Sequence, residues 1–587
     1  MTLEEILINR HKDDEQLGVI FSRENKLMVE APAGCGKTKT IISLISYLLG
    51  SGQIQFPKRI LALSFSVNAA TKIKLDILLQ LPEILEVNRE VVDKYIKQVV
   101  ATNYHGLARM ILKKYGYLID SNLKNIDKMH NIDCSERELV PYIKNEDKMR
   151  FLLEYSSAVN NADWKYLRDN MEQYNSIICM ELIKNNAITY DAILTMAIKL
   201  LYQYPAIMKF YKSYFSCVII DEYQDTNYLG YSLIYNFINE DTRLIIMGDP
   251  LQKIYGFIGA LPNIMDGTRK VLNMATKLIS KNYRYAGNPQ MLALDRMIRA
   301  NASYPQININ DTECVQPLYI FEDQEEEATW ICQKVSEIIG ENKDVTIAIL
   351  CNTRGNNINA IIGKLDEMGI RFFYGLFRDT EEIYIDFHRY CLDEFNSIFT
   401  SKKVTASNLK QFESHIALHY CKTREIESLL KLLSSFFNIV LSDYFFLSDD
   451  EKKNIIRETF DSLSLRQNMK IASERLVVST IHGAKGLEWD YVFMPDMEQF
   501  VNPGFFSCSA CINGNFNTIT EQKCIIKMSK DFEQEFLNML SVFYVGSTRA
   551  KKQVIYSSSK KRLGTRREEY TYVSCFLNLP GIKLNIM

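Results

Sequence analysis

The chain has 587 residues, 47% hydrophobic and 24% charged, and its 69 basic residues against 71 acidic ones leave a formal net charge of −2. At about 150 residues per domain, this length predicts about four domains, each able to bury a core. The charge balance excludes a globally basic nucleic-acid-coating protein, and the ordinary hydrophobic content excludes a disordered chain. The N-terminus lacks the apolar run of a signal peptide, and no stretch approaches the roughly 18 apolar residues of a membrane span. The 13 cysteines, an odd number scattered along a long chain, read as reduced thiols of a cytoplasmic protein.

In chain order, Lys26–Glu30 is an apolar strand running into a glycine-rich loop and a helical IISLISYLLG. Ile60–Ser64 is a second strand, followed by a helical pattern over Ala69–Gln80. From Gly106 to about Leu182 the pattern is helical, without strand alternation. Cys217–Ile220 then ends in acidic residues, and Leu244–Met247 ends in GDP. Val345–Leu350, Leu476–Thr480 and Tyr491–Met494 repeat the strand pattern, with a helix-rich stretch from about Leu376 to Lys470. Alternating strands and helices predict two parallel α/β blocks, each carrying a helical insertion, with ligands at the strands' carboxyl ends. The acidic run Glu322–Glu327 and the basic run Lys560–Arg567 read as solvated faces.

Two of these strand ends carry chemistry. Ala31, Pro32, Ala33, Gly34, Cys35, Gly36, Lys37 and Thr38 (APAGCGKT) lie between a strand and a helix. Such a loop turns backbone N–H groups and a helix N-terminus toward phosphate oxygens. Lys37 reaches the β- and γ-phosphates and Thr38 a Mg²⁺ ion, although Ala31 stands where the general pattern has glycine. Val218–Asn227 (VIIDEYQDTN) ends in paired carboxylates. Asp221 is placed to hold Mg²⁺, and Glu222 to act as general base on water.

DEYQDTN, together with Met247–Ala260 (MGDPLQKIYGFIGA), resembles motifs II and III of superfamily 1A helicases, the UvrD/Rep/PcrA group. Further motifs of the group follow in order: Asp14–Ile20, Leu63–Ala70, Asn103–Leu107, Asn282–Arg284, Val477–Phe493 and Tyr544–Lys551. The resemblance runs from about residue 13 to 560. It implies two RecA-like domains, 1A at 1–105 and 183–277 and 2A at 278–375 and 471–587. Helical insertions would occupy 106–182 (1B) and 376–470 (a reduced 2B). It further implies ATP bound between 1A and 2A. Gln16 would read adenine, Gln252 sense the γ-phosphate, Tyr283 stack on adenine and Glu488 reach the ribose. Arg284 and Arg549 would be arginine fingers. Phe65, Tyr255 and Phe257 match aromatic positions that face bases, and His105 and His482 match histidines near the strand or the coupling path.

Several positions depart from the group's pattern. Val67-Asn68 replaces Asn-Lys, Ile258 and Asn352 each replace an arginine, and Leu540-Ser541-Val542 replaces an acidic–arginine cluster. These departures touch coupling rather than hydrolysis. Because the chain ends soon after the last motif, a nuclease domain like that of the RecB and AddA relatives is not expected. Cys508, Cys511 and Cys524 offer three thiolates where zinc takes four ligands, and His415 and His419 share a helix face without an obvious carboxylate partner. The resemblance therefore implies a Mg²⁺–ATP-driven helicase or translocase on single-stranded DNA, or on DNA with a single-stranded tail, moving 3′ to 5′. An alternative is a DNA-gated ATPase subunit of an antiphage complex such as Gabija, partnered by a nuclease and unwinding little by itself.

Overall fold

The computed structural model describes residues 1–65, 67–86, 89–254, 259–302, 314–342, 344–378, 381–445, 447–471, 474–502, 504, 533–563 and 568–587. Tyr255, Phe257 and Ile258 lie outside the described residues, as do Cys508, Cys511, Cys524 and part of the basic run. The chain divides into two compact units, Met1–Lys281 and Asn282–Met587.

In the first unit the strands are β1 (Lys26–Glu30), β2 (Arg59–Leu63), β3 (Val99–Thr102), β4 (His130–Ile132), β5 (Ala187–Thr189), β6 (Phe215–Ile220), β7 (Arg243–Gly248) and β8 (Ala275–Leu278). Among the described residues, six of them form a parallel sheet in the order β3-β2-β6-β7-β1-β8. Successive side chains point to opposite faces, so each strand feeds two cores. Leu27, Val29, Ile60, Ala62, Ile219 and Ile245 pack with Ile41, Ile45 and Leu48 of the helix Lys37–Gly50. Met28, Leu61, Leu63, Val218, Ile220 and Ile246 pack with the helices Tyr104–Tyr115 and Tyr190–Gln203 on the other face. Because both faces are covered, the strands read as continuous apolar runs, as parallel sheets require.

The helices Glu146–Asn160 and Trp164–Ile177 add Leu152, Tyr155, Leu167 and Tyr174 to this second core. Tyr155 and Tyr174 stack with ring centroids 3.9 Å apart. The expectation of a strandless stretch over 106–182 needs one correction, because β4 pairs in parallel with β5. Three residues are too few for a period of two to be visible in the sequence.

The second unit contains β9 (Val315–Phe321), β10 (Ile347–Cys351), β11 (Phe373–Gly375), β12 (Leu476–Thr480), β13 (Trp489–Met494), β14 (Ala550–Ser559), β15 (Lys561–Leu563), β16 (Glu568–Tyr570) and β17 (Lys583–Ile586). Among the described residues, seven strands form a parallel sheet in the order β11-β12-β10-β13-β14-β9-β17, and β15 pairs antiparallel with β16. The expected α/β class with two parallel sheets is the fold observed. Between β11 and β12 the helices Glu382–Phe399, Ala406–His419, Arg424–Ser442 and Asp449–Asp461 bury a phenylalanine core of Phe395, Phe399, Phe412, Phe437 and Phe460. Here His415 does have a carboxylate partner, Glu394 at 2.7 Å from the neighbouring helix. Chain separation hid that pair from the sequence. Among the described residues no group of three His, Cys, Asp or Glu side chains could hold a metal ion. Among them, too, no helix is long and apolar enough to cross a membrane.

Candidate active site

The glycine-rich loop leaves β1 where the Ala31 N–H donates to the Gly248 carbonyl at the end of β7 (3.0 Å). Gly34 and Gly36 then adopt left-handed φ values of 81° and 80°, conformations glycine enters without penalty. The helix Lys37–Gly50 that follows has no side-chain cap and no acidic residue in its first turn. Its terminal N–H groups and the positive end of its dipole are therefore left for an anion. Thr38 is half-buried in that first turn.

Lys37 donates from Nζ to the Ala31 carbonyl (3.2 Å) and pairs with Glu222 (3.3 Å). Burial pulls its pKa down, but Glu222, Asp221 and Asp249 outweigh it and the ammonium titrates above its ordinary value. Asp221 continues β6, its N–H donating to the Leu63 carbonyl at the end of β2 (2.9 Å). Burial and then the neighbouring Glu222 push its carboxyl up to about 7, against the opposing pull of Lys37. Glu222 itself sits at φ 52°, a left-handed conformation costly for a residue with a side chain. That turn lifts its carboxylate off the strand direction and toward Lys37.

Two residues quoted within the motifs but given no role turn out to organise this turn. Gln224, almost wholly buried, donates from Nε2 to Glu222 (2.5 Å) and accepts from the Asp249 N–H (3.1 Å). Asp249 in turn accepts from the Gln252 side chain (2.7 Å) and caps the turn Pro250–Gln252. A chain of hydrogen bonds thus runs from Gln252 through Asp249 and Gln224 to Glu222. Gln16 is also buried, its Nε2 donating to the Cys35 carbonyl (2.8 Å) and its Oε1 bonded to His11. His11, which the sequence did not single out, bonds Ser43 with its other ring nitrogen (2.7 Å), and burial lowers its pKa.

Nearby strand ends hold Phe65 and His105. Phe65 is half-buried just beyond β2. His105 lies edge-on to Tyr190 (6.1 Å), and burial, reinforced by Arg109, lowers its pKa to about 4. The imidazole is therefore neutral at pH 7.

In the second unit, Asn282 accepts from the N–H groups of Arg284 and Tyr285 (3.0 and 3.2 Å), shaping the turn that leaves Tyr283 41% exposed. Arg284 pairs with Glu488 (3.0 Å) and donates to the Thr548 carbonyl (3.0 Å). The candidate phosphate-facing guanidinium and the candidate ribose ligand are thus bonded to each other. Arg549 is buried, donating to Val545 O (2.9 Å), Leu487 O (3.2 Å) and Thr548 Oγ1 (3.3 Å). His482 is half-buried just beyond β12. Asn352, at a position where arginine was expected, donates to the Val501 carbonyl (2.9 Å).

Two family models match this arrangement in order along the chain. The UvrD/REP helicase N-terminal domain matches residues 12–272, and the UvrD-like helicase C-terminal domain matches 378–561. The chain belongs to the UvrD/REP helicase family. Its relatives in that family include the "probable DNA helicase II homolog" of Mycoplasma capricolum, 25% identical over 366 residues, which are 58% of this chain and 49% of that protein. The "ATP-dependent DNA helicase PcrA" of Leuconostoc citreum is 26% identical over 47% of this chain and 37% of its own length. The PcrA of Staphylococcus aureus is 25% identical over 47% and 38% respectively. The UvrD-type chain described here thus spans half or less of the length of these relatives. The N-terminal match contains the whole Gln16, Lys37, Asp221, Glu222 and Gln252 constellation.

Proposed function

We propose that this chain is an ATP-dependent DNA helicase or translocase that moves along single-stranded DNA, 3′ to 5′. The observation that carries the reading is the juxtaposition of an uncapped helix N-terminus, a charged Lys37 and the Asp221–Glu222 pair at the carboxyl ends of β1 and β6. The donor set fits Mg²⁺–ATP: N–H groups and an ammonium for phosphate oxygens, a hydroxyl and one carboxylate for an ion that keeps most of its waters. When bound, Mg²⁺–ATP supplies the phosphoanhydride to be cleaved and a cation that offsets its charge.

In this reading the loop 31–38 cradles the phosphates, Lys37 faces the β- and γ-oxygens, and Thr38 and Asp221 hold the ion. Glu222 takes the proton of the attacking water, with Gln224 fixing its carboxylate. Gln252 senses the γ-phosphate through the Asp249 bond, and Arg284 and Arg549 stabilise charge that develops in the transition state. Tyr283 stacks on adenine, Glu488 meets the ribose, and Gln16, bonded to the Cys35 carbonyl, reads adenine. Phe65, His105, Tyr255, Phe257 and His482 form the strand-facing set. The boundaries 1–105 with 183–277, 106–182, 278–375 with 471–587, and 376–470 serve as domains 1A, 1B, 2A and 2B.

The test is ATP hydrolysis with and without oligothymidylate, with Lys37→Ala and Glu222→Gln as controls. Strong stimulation that both variants abolish supports the motor; hydrolysis indifferent to DNA sinks it. Asn352, a neutral side chain tied to Val501 where arginine was expected, favours one second reading. In it, hydrolysis gates a nuclease partner, as in antiviral defence, and the isolated chain unwinds little. Robust unwinding of a tailed duplex by the isolated chain would eliminate that alternative.

A further inference from the structure

Three tryptophans occur in the chain, and two are used for packing. Trp489 is buried, and Trp330 lies against Tyr319 with ring centroids 4.0 Å apart. Trp164 is 44% exposed at the first position of the helix Trp164–Ile177. An indole left in water at a helix start forfeits more apolar burial than any other side chain would. Its ring is flanked by cations from its own helix, Lys165 Nζ at 5.6 Å and the Arg168 guanidinium at 5.4 Å from the centroid. Arg168 also bonds the exposed Asp169 (2.9 Å), a surface pair weak enough for a phosphate to displace. Asp163 is occupied at the helix cap, accepting from the Tyr166 N–H.

The position of this indole is fixed by a tight turn. Ala162 takes a left-handed φ of 55°, its N–H donates to Val159 O (3.1 Å), and the Asp163 N–H donates to Ala158 O (2.9 Å). The same turn packs against Gly259. Gly259 comes so close that a Cβ there would lie 2.0 Å from the Val159 carbonyl oxygen, and its φ is +84°. Ala260 then bridges to Asn227, and the Leu261 N–H donates to Thr226 O (3.0 Å). Gly259 is therefore anchored at Val159, five residues along the chain from Trp164.

The geometry assigns Trp164 as a base-stacking contact for single-stranded DNA, with Lys165 and Arg168 meeting the phosphates on either side of the stacked base. This rests on the DNA-binding reading above and extends it onto the helical insertion. An exposed ring between cations is the combination that holds a strand without reading its sequence.

The exposed indole is its own reporter. The full chain is titrated with a labelled oligothymidylate followed by anisotropy, and with the unlabelled oligomer followed by tryptophan emission. Emission should fall along the same isotherm as the anisotropy rises. Trp164→Phe should still bind but lose the quench, and Trp164→Ala should bind about tenfold more weakly. Lys165→Ala with Arg168→Ala should flatten the salt dependence by about 1.4 units of log–log slope, about 0.7 for each phosphate contact on a single strand. DNA-free ATP hydrolysis should be the same in all of these variants. Binding by anisotropy with unquenched emission, and with Trp164→Ala within twofold of the parent, overturns the assignment while leaving the DNA reading intact. No anisotropy change with the parent protein overturns both.

Discussion

Lys37→Ala tests the charge arrangement at the candidate site more sharply than any other change. The Lys37 ammonium lies 3.3 Å from Glu222 and is mostly buried. At an effective dielectric of about 20, charges at that separation attract by about 5 kcal/mol, before the cost of burying the ammonium is set against it. The net loss on truncation is therefore about 1–3 kcal/mol, and its size should depend on pH. Asp221 has a folded pKa of about 7, above its unfolded value of about 4. The native chain thus holds the extra proton, and stability falls as pH climbs through that window, levelling off above about 7. Removing Lys37 takes away the largest influence that lowers this pKa, ahead of the hydrogen bond from the Glu222 N–H, so the variant keeps losing stability above pH 7 while the parent does not. Urea unfolding at pH 6 and pH 8.5 should show a larger deficit at the higher pH, and ATP hydrolysis should fall at least a hundredfold, about 3 kcal/mol in the barrier. A variant that hydrolyses ATP within threefold of the parent, or whose deficit is the same at both pH values, would refute this account.

Arg284 and Arg549 should separate in experiments on stability. Arg549→Ala strips three internal acceptors of a buried donor and should cost about 2–4 kcal/mol in urea unfolding, whereas Arg284→Ala should stay within about 1 kcal/mol and lose hydrolysis. Gln224→Leu leaves the Asp249 N–H without its acceptor; it should cost about 1–3 kcal/mol and lower kcat with little change in nucleotide affinity. Gly259→Ala meets both a positive φ and the Val159 carbonyl, and should destabilise by about 2 kcal/mol or more while reducing DNA stimulation of hydrolysis.

What the sequence made legible follows from how local each signal is. The loop 31–38 and the pair Asp221–Glu222 are contiguous, and both stand at strand ends marked by apolar runs, so their chemistry could be read directly. The bonds of Gln224 to Asp249, and of His11 to Gln16 and Ser43, join residues by side-chain geometry that no spacing rule encodes. The strand β4 is three residues long and pairs with β5, which lies more than fifty residues further along the chain. The carboxylate for His415 comes from another helix, 21 residues away. The exposure of Trp164 could not be read either, because an aromatic residue at helical spacing is more often core than surface.

The bonding of the charged candidates offers a physical reason for the proposed dependence of turnover on DNA. In the first unit Lys37 is neutralised by Glu222, the group proposed as base, so that carboxylate is held as an ion-pair partner. In the second unit Arg284 is neutralised by Glu488, and Arg549 is satisfied by two carbonyls and a hydroxyl. Each candidate charge is thus occupied inside its own unit, and in the proposed mechanism each must exchange that partner before it can act on a phosphate or a water. Incoming phosphate oxygens would compete for Lys37 and release Glu222, but the guanidinium bonds are untouched by that exchange. Nucleotide alone should therefore bind well and turn over slowly. Breaking the Arg284–Glu488 pair with Glu488→Gln should raise DNA-free hydrolysis relative to the DNA-stimulated rate, measured on the same preparation. An unchanged ratio would mean that the pair does not restrain the arginine.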